Sequence, residues 1–301
     1  ERSRVRPSNP APCKDMNNNQ KNIIIIFTLT VYILLVTTIN VAIGFASFSI
    51  YQYFERENAN NNTNRDQRVE RLIKTLEDGY NIEIIIGESE KYKDVYGTEP
   101  NEKQLYELLT ILKEEFNKYP SSLIKNADLN TIHILNDIVI DDMEYSGGYA
   151  GYNGTLGIAY YDEDLYADYT RTTIHHELFH LLVENRPKYV DKFKEINNSN
   201  FNCQRYIDLH GRDKDAKGSE DLFNGCFINT YGINNPDEDM AIIAQDLFHK
   251  NNYDKLLTRI KTEKDIDSQK TLLNKYRFIL YIYNRLSDGE MNTEYWKSIH
   301  N

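Results

Sequence analysis

Two histidines and a glutamate form the most distinctive chemical pattern in the sequence, because His176, Glu177 and His180 complete an H-E-x-x-H motif. At about 100° per residue, the two histidines lie about 40° apart on one face of a helix, so both imidazoles can reach one metal ion. Glu177 directly follows the first histidine, where it can accept a proton from an attacking water. The spacing therefore predicts a catalytic zinc centre on a helix.

The residues around this motif favour a buried helix. Ile174, Leu178 and Leu182 fall on the side opposite the histidine pair. Because burying unpaired polar groups is costly, a metal ion is the expected partner of the histidines. The alternative is a chance match in which the histidines only make hydrogen bonds in the core. His175 lies on a different face from the pair, so any role for it would be indirect.

A third ligand has to come from another part of the chain, since a catalytic zinc usually has three protein ligands. No H-x-x-G-x-x-H continuation follows the motif. Asn235 and Pro236 predict the beginning of a later helix, as N-cap and first helical residue. Asp237, Glu238 and Asp239 then occupy its first turn, although Glu238 could instead complete a capping box. The residues alone leave open which carboxylate would bind the ion.

The H-E-x-x-H motif is followed by a Y-G-x-x-N-x-x-E segment that begins at Tyr231. This combination resembles the gluzincin metallopeptidases, most closely the anthrax lethal factor-like group, which includes secreted bacterial Pro-Pro endopeptidases. The resemblance covers residues 130–250. It implies that Glu238 is the third zinc ligand and that Tyr231 stabilises the oxyanion. The sequence departs from the group where a second acidic residue often follows one turn later, because Ile242 stands there and Gln245 comes further on.

A glycine-rich segment precedes the motif helix. Asn153 and Gly154, between apolar or aromatic flanks, are typical of a type I′ hairpin turn. We expect the segment 147–161 to contribute the sheet edge that binds an extended peptide through backbone hydrogen bonds, with Leu156–Ala159 as the pairing residues. A purely structural hairpin is the alternative.

The hydrophobic periodicity changes several times along the chain. Helical spacing covers Val69–Leu76, Leu105–Phe116 and much of the chain beyond residue 165, whereas strand-like runs cover Ile82–Ile86, Thr131–Leu135 and Ile138–Ile140. Strands thus precede most of the helices, which predicts an α+β domain. The resemblance implies a zincin-like domain with a small twisted sheet, a motif-bearing helix and a helical C-terminal half.

Residues 23–50 form an apolar run without a single Asp, Glu, Lys or Arg. The run exceeds the roughly 20 residues that cross a bilayer. The basic residues before it predict a cytoplasmic N-terminus and an outward-facing remainder. Residues 1–22 are then a cytoplasmic tail or an artificial leader, the Asn-rich residues 51–66 a stalk, and residues 67–301 the extracellular folded domain. Signal cleavage and secretion are the alternative.

Charge and cysteine content narrow the functional classes. The first 54 residues hold 5 of the 35 basic and 2 of the 46 acidic residues, so the remainder has a net charge of −14. An acidic domain argues against nucleic acid as a partner. On the predicted outer side, Cys203 and Cys226 could form a disulfide or remain free thiols, whereas Cys13 precedes the apolar run.

The sequence therefore predicts a membrane-anchored, outward-facing zinc endopeptidase. Its expected cofactor is Zn²⁺, bound by His176, His180 and Glu238, with Glu177 and Tyr231 as catalytic residues. Its expected partners are a peptide or protein substrate at the cell surface and the lipid bilayer. The alternative is a zinc-stabilised, non-catalytic ectodomain that binds a surface partner. A structural zinc site does not require Glu177, so that residue favours the enzyme.

Overall fold

The computed structural model describes residues 67–300, except for 93, 141–142, 146, 152, 162–167, 199–224, 230 and 234. The predicted membrane segment 23–50, the predicted stalk, Cys13 and Cys203 lie outside these residues. Within the described part of the chain, no helix combines the length and the apolar composition that a membrane crossing requires.

The first half of the described chain contains seven strands and three helices, and helices fill the second half. The first half contains α1 (67–80), β1 (Glu83–Ile86), β2 (Val95–Tyr96), α2 (Glu102–Phe116), α3 (Ser121–Asn126), β3 (Thr131–Leu135), β4 (Ile138–Ile140), β5 (Met143–Tyr145), β6 (Gly148–Gly151) and β7 (Thr155–Ala159). The second half contains α4 (Tyr169–Glu184), α5 (Pro187–Asn198), a 3₁₀ turn (Tyr231–Ile233), α6 (Pro236–Asp246), α7 (Lys250–Thr262), α8 (Ile266–Leu286) and α9 (Thr293–His300). This order confirms the predicted α+β class with a helical C-terminal half.

The strands form two small sheets. The first has the order β1-β3-β7-β6, in which β1, β3 and β7 are parallel and β6 pairs antiparallel with β7. The second has the order β2-β4-β5 and is antiparallel. In the described chain, β6 therefore lies at one edge of the larger sheet.

The position of β7 corrects one prediction. Leu156–Ala159 pairs with Ile132–Leu135 on one side and with β6 on the other, so it is an interior strand and not the edge. The alternation of residues within the hairpin could not reveal the parallel pairing with β3, which precedes it by about twenty residues. The accessible edge belongs to Gly148–Gly151. The predicted turn is confirmed, since Asn153 and Gly154 both have positive φ, 64° and 82°.

Helix α4 lies at the centre of the domain and packs against the sheet, α2 and α6. Leu178, Phe179 and Leu182 are fully buried in one apolar cluster with Ile132 and Leu156 of the sheet. Burial of each such side chain contributes about 1.5 to 3 kcal/mol to folding. The core thus holds the motif helix against the sheet, and one side of this helix remains at a cleft.

Candidate metal centre

The two motif histidines meet one carboxylate from a distant part of the chain. His176 Nε2 and His180 Nε2 are 3.2 Å apart. Glu238 Oε2 lies 2.9 Å from the first of these atoms and 3.4 Å from the second. The structure therefore brings together the three side chains that the sequence analysis predicts as zinc ligands.

The beginning of α6 determines where Glu238 lies. Asn235 caps the helix and accepts a hydrogen bond of 2.9 Å from the Glu238 backbone N–H, with Pro236 as the first helical residue. The predicted N-cap is confirmed. The Glu238 side chain reaches the histidines, whereas Asp239 is buried against Lys275 and Asp237 is partly exposed at the cleft. Of the three carboxylates left open by the sequence, Glu238 is the one beside the histidine pair.

The geometry of these three side chains fits a zinc ion. Tetrahedral zinc with bonds of about 2.0 to 2.1 Å separates its ligand atoms by about 3.3 Å. The separations of 2.9, 3.2 and 3.4 Å lie close to that value. The two Nε2 atoms, 3.2 Å apart, can both direct a lone pair at one cation when each imidazole carries its proton on Nδ1. A cluster of two imidazoles and one carboxylate is also the donor set that zinc accepts.

Gln245 forms a hydrogen bond with the ring nitrogen of His176 that does not face Glu238. His176 Nδ1 donates to Gln245 Oε1 at 2.9 Å, so its Nε2 keeps a lone pair for the metal position. Gln245 follows Glu238 by two helical turns and lies on the same face of α6. In the sequence, Gln245 stands out only because it follows the position where the expected acidic residue is missing. The two-turn spacing was the signal that could have identified its role.

The site combines an ionised ligand with a weakly acidic glutamate. Burial tends to raise the pKa of Glu238, but the adjacent imidazoles of His176 and His180 lower it to about 2. The pKa of Glu177 is raised, chiefly by burial. Glu238 is therefore an anion that can offset a dication, while Glu177 has a greater affinity for a proton than an exposed glutamate.

A cleft with a volume of about 630 Å³ opens at these residues, between β6, α4, α5 and the start of α6. Glu177 lines it, and Gly148 of the edge strand lies directly beside this glutamate. A Cβ atom on Gly148 would come 3.0 Å from Glu177 Cγ and 2.6 Å from the carbonyl oxygen of Gly157. A glycine at position 148 thus allows the sheet edge to approach the motif helix closely enough to share one cleft with it.

Tyr231 lies at the same cleft, in the 3₁₀ turn before α6. Its side chain is 51% exposed, and its ring centroid is 6.1 Å from that of His176. Gly232, the next residue, packs on Asp239, since a Cβ there would lie 3.2 Å from Asp239 Cα. The 3₁₀ turn that carries Tyr231 therefore packs against the first turn of α6 at Asp239.

A buried ion pair holds Asp239. Lys275 of α8 is fully buried, and its Nζ donates to Asp239 Oδ2 and to the Cys226 carbonyl oxygen, both at 2.6 Å. The ring of Phe227 lies 4.1 Å from the same ammonium group. Cys226 itself is fully buried and disulfide-bonded. This arrangement ties the first turn of α6 to the C-terminal helices.

A second group of potential ligands lies on the other side of α4. Glu115 Oε2 is 2.7 Å from His175 Nε2 and 3.8 Å from His249 Nε2. Glu115 is fully buried, but Lys118 and Arg171 already contact its two oxygens. Their positive charges leave no net negative charge for a divalent ion. We interpret this group as an ion-pair network that packs α4 on α2.

His175 belongs to that network and not to the zinc-like centre. It is fully buried, its Nδ1 is hydrogen-bonded to Tyr119, and burial lowers its pKa to about 4. The neutral imidazole accepts from the tyrosine hydroxyl and donates to Glu115. The expectation that His175 faces away from the other two histidines therefore agrees with the structure.

Comparison with known proteins found one family model that matches part of the chain and a similar solved structure. Residues 155–286, which include α4 and α6, match the model of a family described as "Putative zinc-binding metallo-peptidase". No protein of curated function matches the chain. A solved structure described as "a putative zinc-binding metallo-peptidase from Bacteroides caccae ATCC 43185" is similar at 14% identity and a TM-score of 0.49, covering 79% of this chain and 91% of that one. The family match supports a zinc metallopeptidase family for this chain and zinc as its metal.

Proposed function

We propose that the chain is a zinc-dependent endopeptidase of the anthrax lethal factor-like group of gluzincins. The observation that carries the proposal is the convergence of His176, His180 and Glu238, whose ligand atoms lie within 3.4 Å of one another. These residues hold the metal in the proposal, and Glu177 lies on the cleft beside them. A structural zinc site would not need that glutamate or an open cleft.

Zinc at this centre would lower the pKa of a water molecule and polarise the carbonyl group of a peptide bond. Glu177 accepts the proton of the attacking water and passes it to the nitrogen of the departing amine. Its raised pKa suits this exchange, because a carboxyl group that binds a proton more tightly is the better base.

Tyr231 provides the second catalytic side chain of the proposal. Its exposed position on the cleft lets the phenol reach a substrate carbonyl oxygen that becomes negatively charged during the attack. A hydroxyl donor at that oxygen stabilises the transition state more than the ground state, since the charge develops only on the way to the transition state.

The sheet edge gives a place for the substrate backbone. Gly148–Gly151 borders the cleft opposite α5, and in the described chain only β7 pairs with it. An extended peptide can add to this edge through main-chain hydrogen bonds. We therefore infer that substrates bind in an extended conformation, which is typical of endopeptidases that act within a chain.

The proposal includes anchoring through residues 23–50, with the catalytic domain outside the cell and surface or extracellular proteins as substrates. It rests on the uncharged run and on the basic residues before it. Protease added to intact cells should release the folded domain through the Asn-rich stalk. Complete protection until the membrane is disrupted would reverse the orientation, and release without added protease would indicate signal cleavage.

A digest of an unbiased peptide library by the full chain tests the activity. We expect cleavage that requires zinc and that Glu177→Gln abolishes while the zinc content stays the same, because a base is needed for hydrolysis and not for metal binding. Glu195→Gln is the matched control, since Glu195 is an exposed glutamate of α5 outside the cleft. If wild type and Glu177→Gln both retain zinc and cleave nothing, the chain is the non-catalytic ectodomain.

A further inference from the structure

A second cavity lies apart from the metal centre, where the first turn of α7, the middle of α8 and helix α9 meet. Its volume is about 560 Å³, which is within the range of binding cavities. Among the residues that the structure describes, one cation from each of the three helices lines it, namely Lys250, Arg277 and Lys297, and no Asp or Glu does. The side chains that line this cavity thus carry three positive charges in a chain whose net charge is −11.

Two of these cations have only weak partners. Lys250 lies 3.7 Å from Asp254 and Lys297 lies 2.8 Å from Glu294, and all four side chains are more than half exposed. Such exposed pairs contribute roughly 0 to 1 kcal/mol and exchange readily for another anion. Arg277 makes no ion pair with any residue that the structure describes. All three cations are therefore available to a negatively charged ligand.

The walls of this cavity are aromatic and firmly packed. Trp296 is 6% exposed, and its ring lies 5.4 Å from Phe248 and 5.5 Å from Tyr283, both edge to face. Tyr253 stacks on His300 with ring centroids 3.9 Å apart. Because these rings are held by their neighbours, the cavity is formed before any ligand arrives, and little conformational entropy is lost on binding.

We propose that this cavity binds an acidic peptide segment, in which an apolar side chain enters the aromatic walls and flanking carboxylates pair with Lys250, Arg277 and Lys297. The three cations come from three different helices around a group of aromatic side chains. That distribution suits several carboxylates along a chain better than one phosphate group, which needs donors that converge on a single point. The site is separate from the metal cleft and does not depend on its chemistry.

Trp296 makes the test specific, because it is the only tryptophan in the sequence. The fluorescence of the full chain would be titrated with a short peptide that alternates glutamate with leucine and phenylalanine. The matched probes are the same peptide with glutamine or lysine in place of glutamate, and inorganic phosphate alone. Calorimetry measures the same titrations, and mass spectrometry verifies that each peptide remains intact.

We expect a saturable change with the glutamate peptide and none with the lysine peptide. Higher salt should weaken the binding, since screening reduces the attraction between exposed charges. Arg277→Gln and Lys297→Gln should each raise the dissociation constant roughly tenfold, the scale of losing one charge-assisted hydrogen bond. Arg285→Gln is the control, because Arg285 lies on the same helix and outside the cavity.

Three results would overturn the proposal. The first is equal binding of the glutamate, glutamine and lysine peptides, which would remove the role of charge. The second is an unchanged affinity in both Arg277→Gln and Lys297→Gln. Both replaced side chains are exposed, so the variants should fold, and the tryptophan emission of each variant without ligand verifies this. The third is a response to phosphate with no response to the glutamate peptide in either fluorescence or heat, which would make the site one for small anions.

Discussion

His176 and Gln245 are linked by a hydrogen bond of 2.9 Å from the imidazole Nδ1 to the amide oxygen. Through this bond, α6 contributes twice to the same histidine, because Glu238 of that helix lies 2.9 Å from Nε2 on the other side of the ring. The orientation and the tautomer of His176 are thereby determined by one helix.

The first prediction concerns Gln245. In Gln245→Ala, Nδ1 loses its acceptor, the ring is free to rotate, and zinc affinity should fall about 10- to 100-fold. Competition with a chelator of known affinity measures the change. Gln269→Ala is the control, since Gln269 bonds backbone oxygens of Ile260 and Lys261 far from the centre. Equal affinity in the two variants would assign Gln245 to packing alone.

The second prediction separates the two clusters of histidine and glutamate. We expect about one zinc ion per chain, and His176→Ala and His180→Ala should each remove most of it, because two remaining ligands hold zinc weakly. Elemental analysis of the purified chain gives the content. His249→Ala should keep its zinc, since Lys118 and Arg171 already balance the charge of Glu115 in that cluster. Zinc loss in His249→Ala alone would place the metal on the other side of α4.

The third prediction concerns the hydroxyl group of Tyr231. Tyr231→Phe should lower kcat about 10- to 1000-fold with KM and zinc content nearly unchanged, the scale of removing one oxyanion donor. Steady-state kinetics on a peptide from the library digest measure both constants. Tyr281→Phe offers a matched change of an exposed tyrosine on α8. A raised KM with an unchanged kcat would instead give Tyr231 a role in substrate binding.

The fourth prediction concerns pH and stability. Burial raises the pKa of Asp246 to about 7 from 3.8. The folded protein therefore holds a proton there that the unfolded chain releases, and stability from this group falls as pH rises from about 4 through 7. Asp246→Asn, which resembles the neutral acid, should gain thermal stability relative to wild type across that interval. A difference in melting temperature between the two proteins that stays the same at every pH would contradict this prediction.

Local sequence patterns predicted those parts of the site that depend on residues close together in the sequence. The spacing of His176 and His180 is a property of one helix, α4. Asn235 and Pro236 are adjacent residues that indicate the start of α6. Both helices occur where the sequence predicted them. The functional roles of these residues, including zinc binding by Glu238, stay predictions.

Contacts between distant segments could not be predicted from the sequence. Gln245 is 69 residues from His176, and Lys275 is 36 residues from Asp239, so no periodicity connects either pair. The interior position of β7 could not be predicted for the same reason. Its parallel pairing with β3 depends on how the chain between the two strands crosses over, and neither strand shows this alone. Such pairings follow from packing the whole domain.

The buried pair of Asp239 and Lys275 has a consequence for the order of events during protein synthesis. Asp239 adjoins Glu238, and without its ammonium partner it would be an uncompensated charge in the core. The first turn of α6 can therefore settle only after Lys275 has left the ribosome, long after both motif histidines have emerged. Nascent chains stalled before residue 275 should lose zinc readily, and the released full-length chain should retain zinc.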